Sequence, residues 1–183
     1  MAKLEVVKIG HPVLREKAQE VSPEKLREAS FQKFLKAMAE TMRRYEGVGL
    51  AANQVGQGIQ ALVLECRSNP RYPKRGEFSL EIWINPKILE YSEKQAEDWE
   101  GCLSIPGYRG RVPRALSVTY EGLDPEGKRV RKTVQGFQAR VIQHEVDHLN
   151  GLFYIDRMPN LQSWVHLDEF NALMDLQVRD RGQ

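Results

Sequence analysis

His144-Glu145-Val146-Asp147-His148 places two imidazoles and two carboxylates within one short stretch. Histidines at i and i+4 on a helix stand one above the other on the same face, so both can reach a single metal ion. The glutamate beside the first histidine then projects next to that ion, where it can take a proton from water. The chemistry such a set supports is metal-assisted hydrolysis. Short patterns also arise by chance, and the plain alternative is two unrelated histidines with an incidental acid.

Two histidines do not make a tight site. A catalytic metal is normally held by three protein ligands and keeps one position open. The other candidates are His11, His166, Cys66 and Cys102. His11 lies in the N-terminal arm and His166 near the tail, and both read as ordinary residues. Cys66 ends an apolar run and reads as a small buried hydrophobe. Cys102 lies in Glu100-Gly101-Cys102-Leu103-Ser104, just before Ile105-Pro106-Gly107, which suggests a bend rather than a regular strand. On the residues alone, Cys102 is equally a third ligand or a nucleophile.

A third segment is Gly47-Val48-Gly49-Leu50-Ala51-Ala52-Asn53-Gln54. Its glycines allow close approach of backbone to a ligand. It lacks the spacing of a phosphate cradle, and no Lys-Ser/Thr ends it. Gln54 offers an amide that donates without titrating. The alternative is simply a turn.

These residues need elements to hold them. Phe137, Val141, His144 and His148 form one helical stripe, which predicts a helix from about Gly136 to Asn150, stopped near Gly151. Phe31, Phe34, Leu35, Met38, Met42 and Tyr45 define an earlier helix whose stripe is core, with Ser30 as N-cap and Gly47 at its C-terminal end. Residues 1–28 read as an extended arm, with a short helical turn after Ser22-Pro23. Strands are expected at 61–66, at 81–89 with an edge or bend at Pro86, around Leu116, Val118 and Tyr120, and at 128–135. Asp124-Pro125-Glu126-Gly127 makes the last pair a hairpin. A third helix begins near Ser163, with Leu167, Phe170 and Met174 inward. The fold class is α+β: mainly antiparallel sheets packed around a central helix bearing the His-Glu-x-x-His motif, in a single domain over residues 1–183.

The 41% apolar and 28% charged residues suit a soluble globular chain. A net charge of +2 excludes the basic footprint of a DNA-binding protein. The basic stretch 67–75 reads as a solvated loop, with contact to RNA at a ribosome as the second reading. Two cysteines make no disulfide framework and suit a reducing compartment. No run approaches the ~20 apolar residues of a membrane span, and the N-terminus has no signal-peptide pattern.

The three segments in order, GxGLAAxQ, EGCLS and QHExDH, resemble the signature set of peptide deformylases, and every fixed position matches. The flanks His11-Pro12-Val13-Leu14-Arg15 and Asn150-Gly151-Leu152-Phe153-Tyr154-Ile155-Asp156 are similar too. The resemblance implies that Cys102 joins His144 and His148 around one divalent metal ion: Fe2+ in the cell, with Zn2+, Ni2+ or Co2+ able to replace it. It implies removal of the formyl group from N-formylmethionyl nascent peptides, with Glu145 as base and the Gln54 side chain and Leu103 N–H stabilising the oxyanion. It implies a substrate bound as an added strand against Gly49 and Gly101. The methionine pocket is expected at Val48, Phe137 and Val141, with Arg140 at the rim and Arg109 near the site. The partner beyond the peptide is the ribosome surface, with no DNA and no membrane. The compartment is the bacterial cytoplasm, or an organellar matrix if a targeting segment has been removed. Two other classes share the histidine motif: a zinc protease cutting internal peptide bonds and a non-catalytic metal-binding module.

Overall fold

The computed structural model describes residues 4–67, 69 and 75–180. The elements run α1 (Pro23–Arg27), α2 (Ala29–Arg44), β1 (Gly49–Ala51), β2 (Ala61–Cys66), β3 (Phe78–Tyr91), β4 (Gln95–Cys102), β5 (Ile105–Ala115), β6 (Ser117–Leu123), β7 (Arg129–Gln135), α3 (Gly136–Leu149), β8 (Val165–His166) and α4 (Leu167–Asp180). Most of the basic stretch 67–75 falls outside the described residues.

β2 is apolar on both faces because both faces are covered. Ala61 and Val63 pack with Phe31, Leu35, Met38 and Met42 of α2. Leu62 and Leu64 point the other way, toward Val141, Ile142 and Leu149 of α3. Each of these large side chains contributes about 1.5–3 kcal/mol when fully buried. The sheet they belong to has the order β1-β2-β3-β6-β7, and β4, β5 and β8 form a second, smaller one. The strand pairs are antiparallel throughout. The fold is therefore mixed α/β with antiparallel sheets. A third cluster joins Cys102, Ile105 and Val112 of the small sheet to Leu14, Phe153 and Tyr154.

Several expectations change. The N-cap of α2 is Glu28, not Ser30, because α1 and α2 share Glu28 as their junction. The left-handed residue after α2 is Glu46, with φ 53°, rather than Gly47. Gly47 meets a different need: a Cβ there would lie 3.0 Å from Leu103 Cδ1. Pro86 lies in β3, an interior strand, so it marks a bend and not an edge. The register shifts between Ile84 and Lys87, and Asn85 takes φ 50° while its amide bonds both backbone groups of Val21 at 2.8 and 2.9 Å. Leu116 precedes β6 and is exposed, whereas Val118 and Tyr120 are buried. The tail helix starts at Leu167, after β8 has paired with β5.

Candidate active site

α3 carries the histidine motif as its spacing predicts, and His144, Glu145 and His148 are all buried. Their face meets the end of β4. Glu100, Gly101 and Cys102 are strand residues, contrary to the bend expected there; the turn is Leu103-Ser104. The β4–β5 register slips between Glu100 and Cys102. Such an irregularity re-aims a side chain, and here the thiol faces the helix.

Cys102 Sγ lies 3.2 Å from His148 Nε2, which lies 3.1 Å from His144 Nε2. Four-coordinate geometry with bonds of about 2.0–2.1 Å to nitrogen and 2.3 Å to sulfur needs ligand atoms about 3.3–3.6 Å apart. The trio is thus within a few tenths of an ångström of a metal-holding arrangement. His144 Nδ1 is bound to Glu100 Oε2 at 2.9 Å. That bond turns Nε2 toward the other ligands, as a carboxylate commonly does for a metal-bound histidine. Glu100 is held in turn by Arg114 at 3.0 and 3.1 Å and by Arg140 at 2.7 Å. Arg114 continues to Asp147 at 2.5 Å, and Asp147 to Arg157 at 2.7 Å.

Charge in this cluster is specified by its surroundings. Burial opposes ionisation of Cys102, but the electrostatic pull of His148 and hydrogen bonds with both histidines outweigh it, holding the thiol well below its usual range. Burial likewise opposes the Glu100 carboxylate, and the Arg114 charge with the His144 hydrogen bond holds it ionised. His144 is held well above its usual range: burial works against its charge, but hydrogen bonds to Cys102 and Glu100 overcome it. The site therefore draws positive charge to the imidazole nitrogens, and a thiolate with two imidazoles is a donor set for a borderline-soft dication. Burial pushes Glu145 up to about 7, although the two neighbouring histidines pull it back. Its Oε2 is buried with no partner among the described residues. An unpartnered carboxylate oxygen beside the ligand trio is the place a reacting water needs.

Gln54 stands on a short 3-10 turn, Ala52–Val55, right after β1. Its Oε1 accepts from Ala51 N at 2.9 Å, which aims Nε2 at Cys102 Sγ (3.5 Å) and Ser104 Oγ (3.3 Å). The cavity in front of the trio is walled by Val48, Gly49, Gln54, Gly101, Cys102, Leu103, Phe137, Arg140, Val141, His144 and Glu145. His148 is fully buried behind this wall. Arg140 lines the wall while its guanidinium bonds Glu100 and the carbonyls of Val112 and Ala96. Arg109 is not brought to the cavity: it is buried, with its guanidinium carbon 5.0 Å from the Phe170 ring centroid. Two residues escaped the sequence reading. Glu100 was noted only within its motif, not as the group that orients His144. Trp99, a wall residue, needed β4 to be read as a strand, since alternation then puts it on the face of Gly101.

The chain is similar to known proteins over most of its length. Residues 3–164 match the family described as Polypeptide deformylase. Peptide deformylase 1 of Nitrosomonas europaea is 40% identical over 163 residues, covering 89% of this chain and 92% of that protein. Peptide deformylase 1A of Arabidopsis thaliana, described as chloroplastic/mitochondrial, is 43% identical over 84% of this chain and 61% of its own length. A Met-Ala-Ser-bound crystal structure of the class I type b peptide deformylase from Acinetobacter baumannii superposes with a TM-score of 0.83 and 40% identity, covering 86% of this chain and 99% of that one.

Proposed function

Because the chain belongs to the polypeptide deformylase family, and so removes the N-formyl group of nascent polypeptides, we propose that residues 1–183 form one catalytic domain built around α3, in which Cys102, His144 and His148 hold a single divalent metal ion and Glu145 is the base. The observation that carries this reading is the buried Glu145 side chain, whose Oε2 has no partner among the described residues, set beside the Cys102 sulfur and two imidazoles whose ligand atoms lie 3.1–3.2 Å apart. When bound, the ion supplies Lewis acidity that activates water and polarises the formyl oxygen. Fe2+ is the proposed resident metal on the family resemblance, and Zn2+, Ni2+ and Co2+ suit the same donors.

The residues divide the remaining work. Glu145 takes a proton from the attacking water and passes it to the leaving amine, so that formate and a free amino terminus result. A carboxyl pushed up to about 7 can do both near neutrality. Gln54 Nε2 and the Leu103 backbone N–H donate to the formyl oxygen as it gains charge. The peptide enters as an added strand. β1 and β4 are edge strands of the two sheets, and both contribute residues to the cavity wall. Gly49 and Gly101 are the proposed backbone partners, because each lacks a side chain between the peptide and the strand edge. The methionine side chain fills the space beside Val48, Phe137 and Val141, with Arg140 behind it. Arg109 acts at one remove from the cavity. The ribosome surface is the partner this substrate implies, and the bacterial cytoplasm or an organellar matrix the compartment. Among the described residues, no helix is long and apolar enough to cross a membrane.

The test is formate release from formyl-Met-Ala-Ser, with metal content measured on the same sample. Wild-type protein releases formate, and Glu145→Ala keeps its metal while losing at least ~10²-fold in turnover. A metal-loaded Glu145→Ala that remains active refutes the assigned base.

A further inference from the structure

The two groups assigned to the formyl oxygen come from different sheets. Gln54 follows β1, an edge of the five-stranded sheet, and Leu103 follows β4, an edge of the small one. Neither sheet by itself sets the distance between them. The N-terminal arm touches both. Val7 N donates to Gln54 O at 2.9 Å, and Ile9 N donates to Ser104 O at 2.9 Å. Two residues of chain span at most about 7 Å, so these bonds limit how far the two segments can part. Between them, Lys8 Nζ donates to Leu103 O at 3.0 Å.

The arm is itself anchored. Val6 is buried in the α2 core, against which Leu103 also packs. Val7 packs against the cluster that holds Cys102. The Lys8 ammonium lies 5.7 Å from the ring centroid of Tyr45, the C-cap of α2. The Tyr45 hydroxyl in turn donates to Glu5 Oε2 at 3.1 Å. The Ile9 side chain is exposed, so its backbone is held by the bond to Ser104 rather than by packing.

We infer that residues 7–9 form a strap that keeps the Gln54 and Leu103 donors at their working separation, with Lys8 a positioning residue for the Leu103 turn. The inference rests on the assignment of Gln54 Nε2 and the Leu103 N–H to the formyl oxygen proposed above. An oxyanion donor must stand about 2.7–3.1 Å from the place where charge develops. Lys8 bonds the carbonyl of the residue whose N–H donates, and so fixes Leu103 from its far side. A displaced donor costs little against a neutral formyl oxygen and more against a charged one. Loosening the strap therefore lowers kcat and leaves KM unchanged.

The experiment measures formate release from formyl-Met-Ala-Ser by metal-loaded full-length protein. Inhibition by the product Met-Ala-Ser, which lacks the formyl oxygen, and the melting temperature are measured alongside. Lys8→Met keeps the apolar stem and removes the ammonium. It lowers kcat about three- to tenfold, short of the ~10²–10³ for deleting a donor outright, while KM and Met-Ala-Ser inhibition stay within about twofold of wild type. Lys8→Arg recovers kcat, because a guanidinium also donates to a carbonyl. Replacing Ile9 by its α-hydroxy acid counterpart removes only the N–H that reaches Ser104 and gives the same pattern. A merely structural arm would instead lower the melting temperature in step with kcat and raise KM. An unchanged kcat in both Lys8→Met and the Ile9 ester, or a loss carried by KM, overturns the inference. Undiminished turnover in Gln54→Ala refutes the oxyanion assignment beneath it, a separate result.

Discussion

Gly49 is required by Glu145 and not by any turn. A Cβ at position 49 would lie 2.7 Å from both Cγ and Cδ of Glu145, closer than real atoms approach. β1 thus passes so near the proposed base that only hydrogen fits between them. Gly49→Ala must push the carboxylate aside, and a shift of about 1 Å in a reacting group costs on the order of 10²-fold in rate. The ligand trio is not touched by that substitution. Gly49→Ala is therefore expected to bind metal as wild type does and to lose about 10²-fold in formate release. Equal activity would mean that Glu145 works from another position. That Cys102, His144 and His148 lie together, with Glu145 and Gln54 on the same cavity wall, was legible from the three motifs once their order was matched to the family; on residue types alone Cys102 stood equally as a ligand or a nucleophile. Arg109 was not: its sequence position beyond the EGCLS segment gave no sign that it turns toward Phe170 instead of the cavity.

Secondary-structure elements were legible where burial is one-sided or total and hidden where a bend intervenes. α2, α3, β2 and the β6–β7 hairpin follow directly from periodicity and the 124–127 turn. β4 and β5 did not, since Gly101, Pro106, Gly107 and Pro113 break any strand signal and the register slips between them. The C-terminal end of α2 shows the same competition. Glycine stands at position 47 to clear Leu103, so Glu46 is left to adopt φ 53°. A left-handed non-glycine residue costs about 1–2 kcal/mol, partly offset by the extra unfolded-state entropy of glycine. Glu46→Gly is expected to raise stability by up to ~1 kcal/mol in urea unfolding, and a lower midpoint would contradict this account. A second element-level test concerns the N-terminal arm, which is tied to the segment after α3 by Arg15–Asp156 at 2.5 Å. Burial raises the Asp156 carboxyl, but the Arg15 hydrogen bond outweighs it and holds it below its usual value. A depressed folded value contributes stability above the unfolded pKa of about 3.9, and that contribution is lost as pH falls through the folded value. Asp156→Asn should lower the melting temperature at pH 7, and the gap from wild type should close below about pH 4.

At the scale of the molecule, the candidate metal centre joins two bodies of structure. Cys102 comes from the end of the small sheet, and its apolar neighbours Ile105, Val112 and Tyr154 form a core of their own. His144 and His148 come from α3, whose apolar face belongs to the five-stranded sheet. Between the two lie buried ion pairs, Arg114 of β5 with Glu100 of β4 and with Asp147 of α3. Buried pairs of this kind add little net stability, because desolvation cancels much of the attraction, but breaking one is costly. An ion held by ligands from both sides would bind the folded chain and not the unfolded one, and so would add stability as RT ln(1 + [L]/Kd), about 2.7 kcal/mol at a hundredfold excess over Kd. Chelation should therefore lower the melting temperature by several degrees, and re-addition of metal should restore it. Amide exchange should locate the loosening along the seam, at the 100–104 end of β4 and the facing turns of α3, and leave the α2–β2 core protected. A melting temperature indifferent to chelator, in protein shown to have lost its metal, would mean that the two sheets are joined by the Arg114–Glu100–Asp147 pairs and side-chain packing alone.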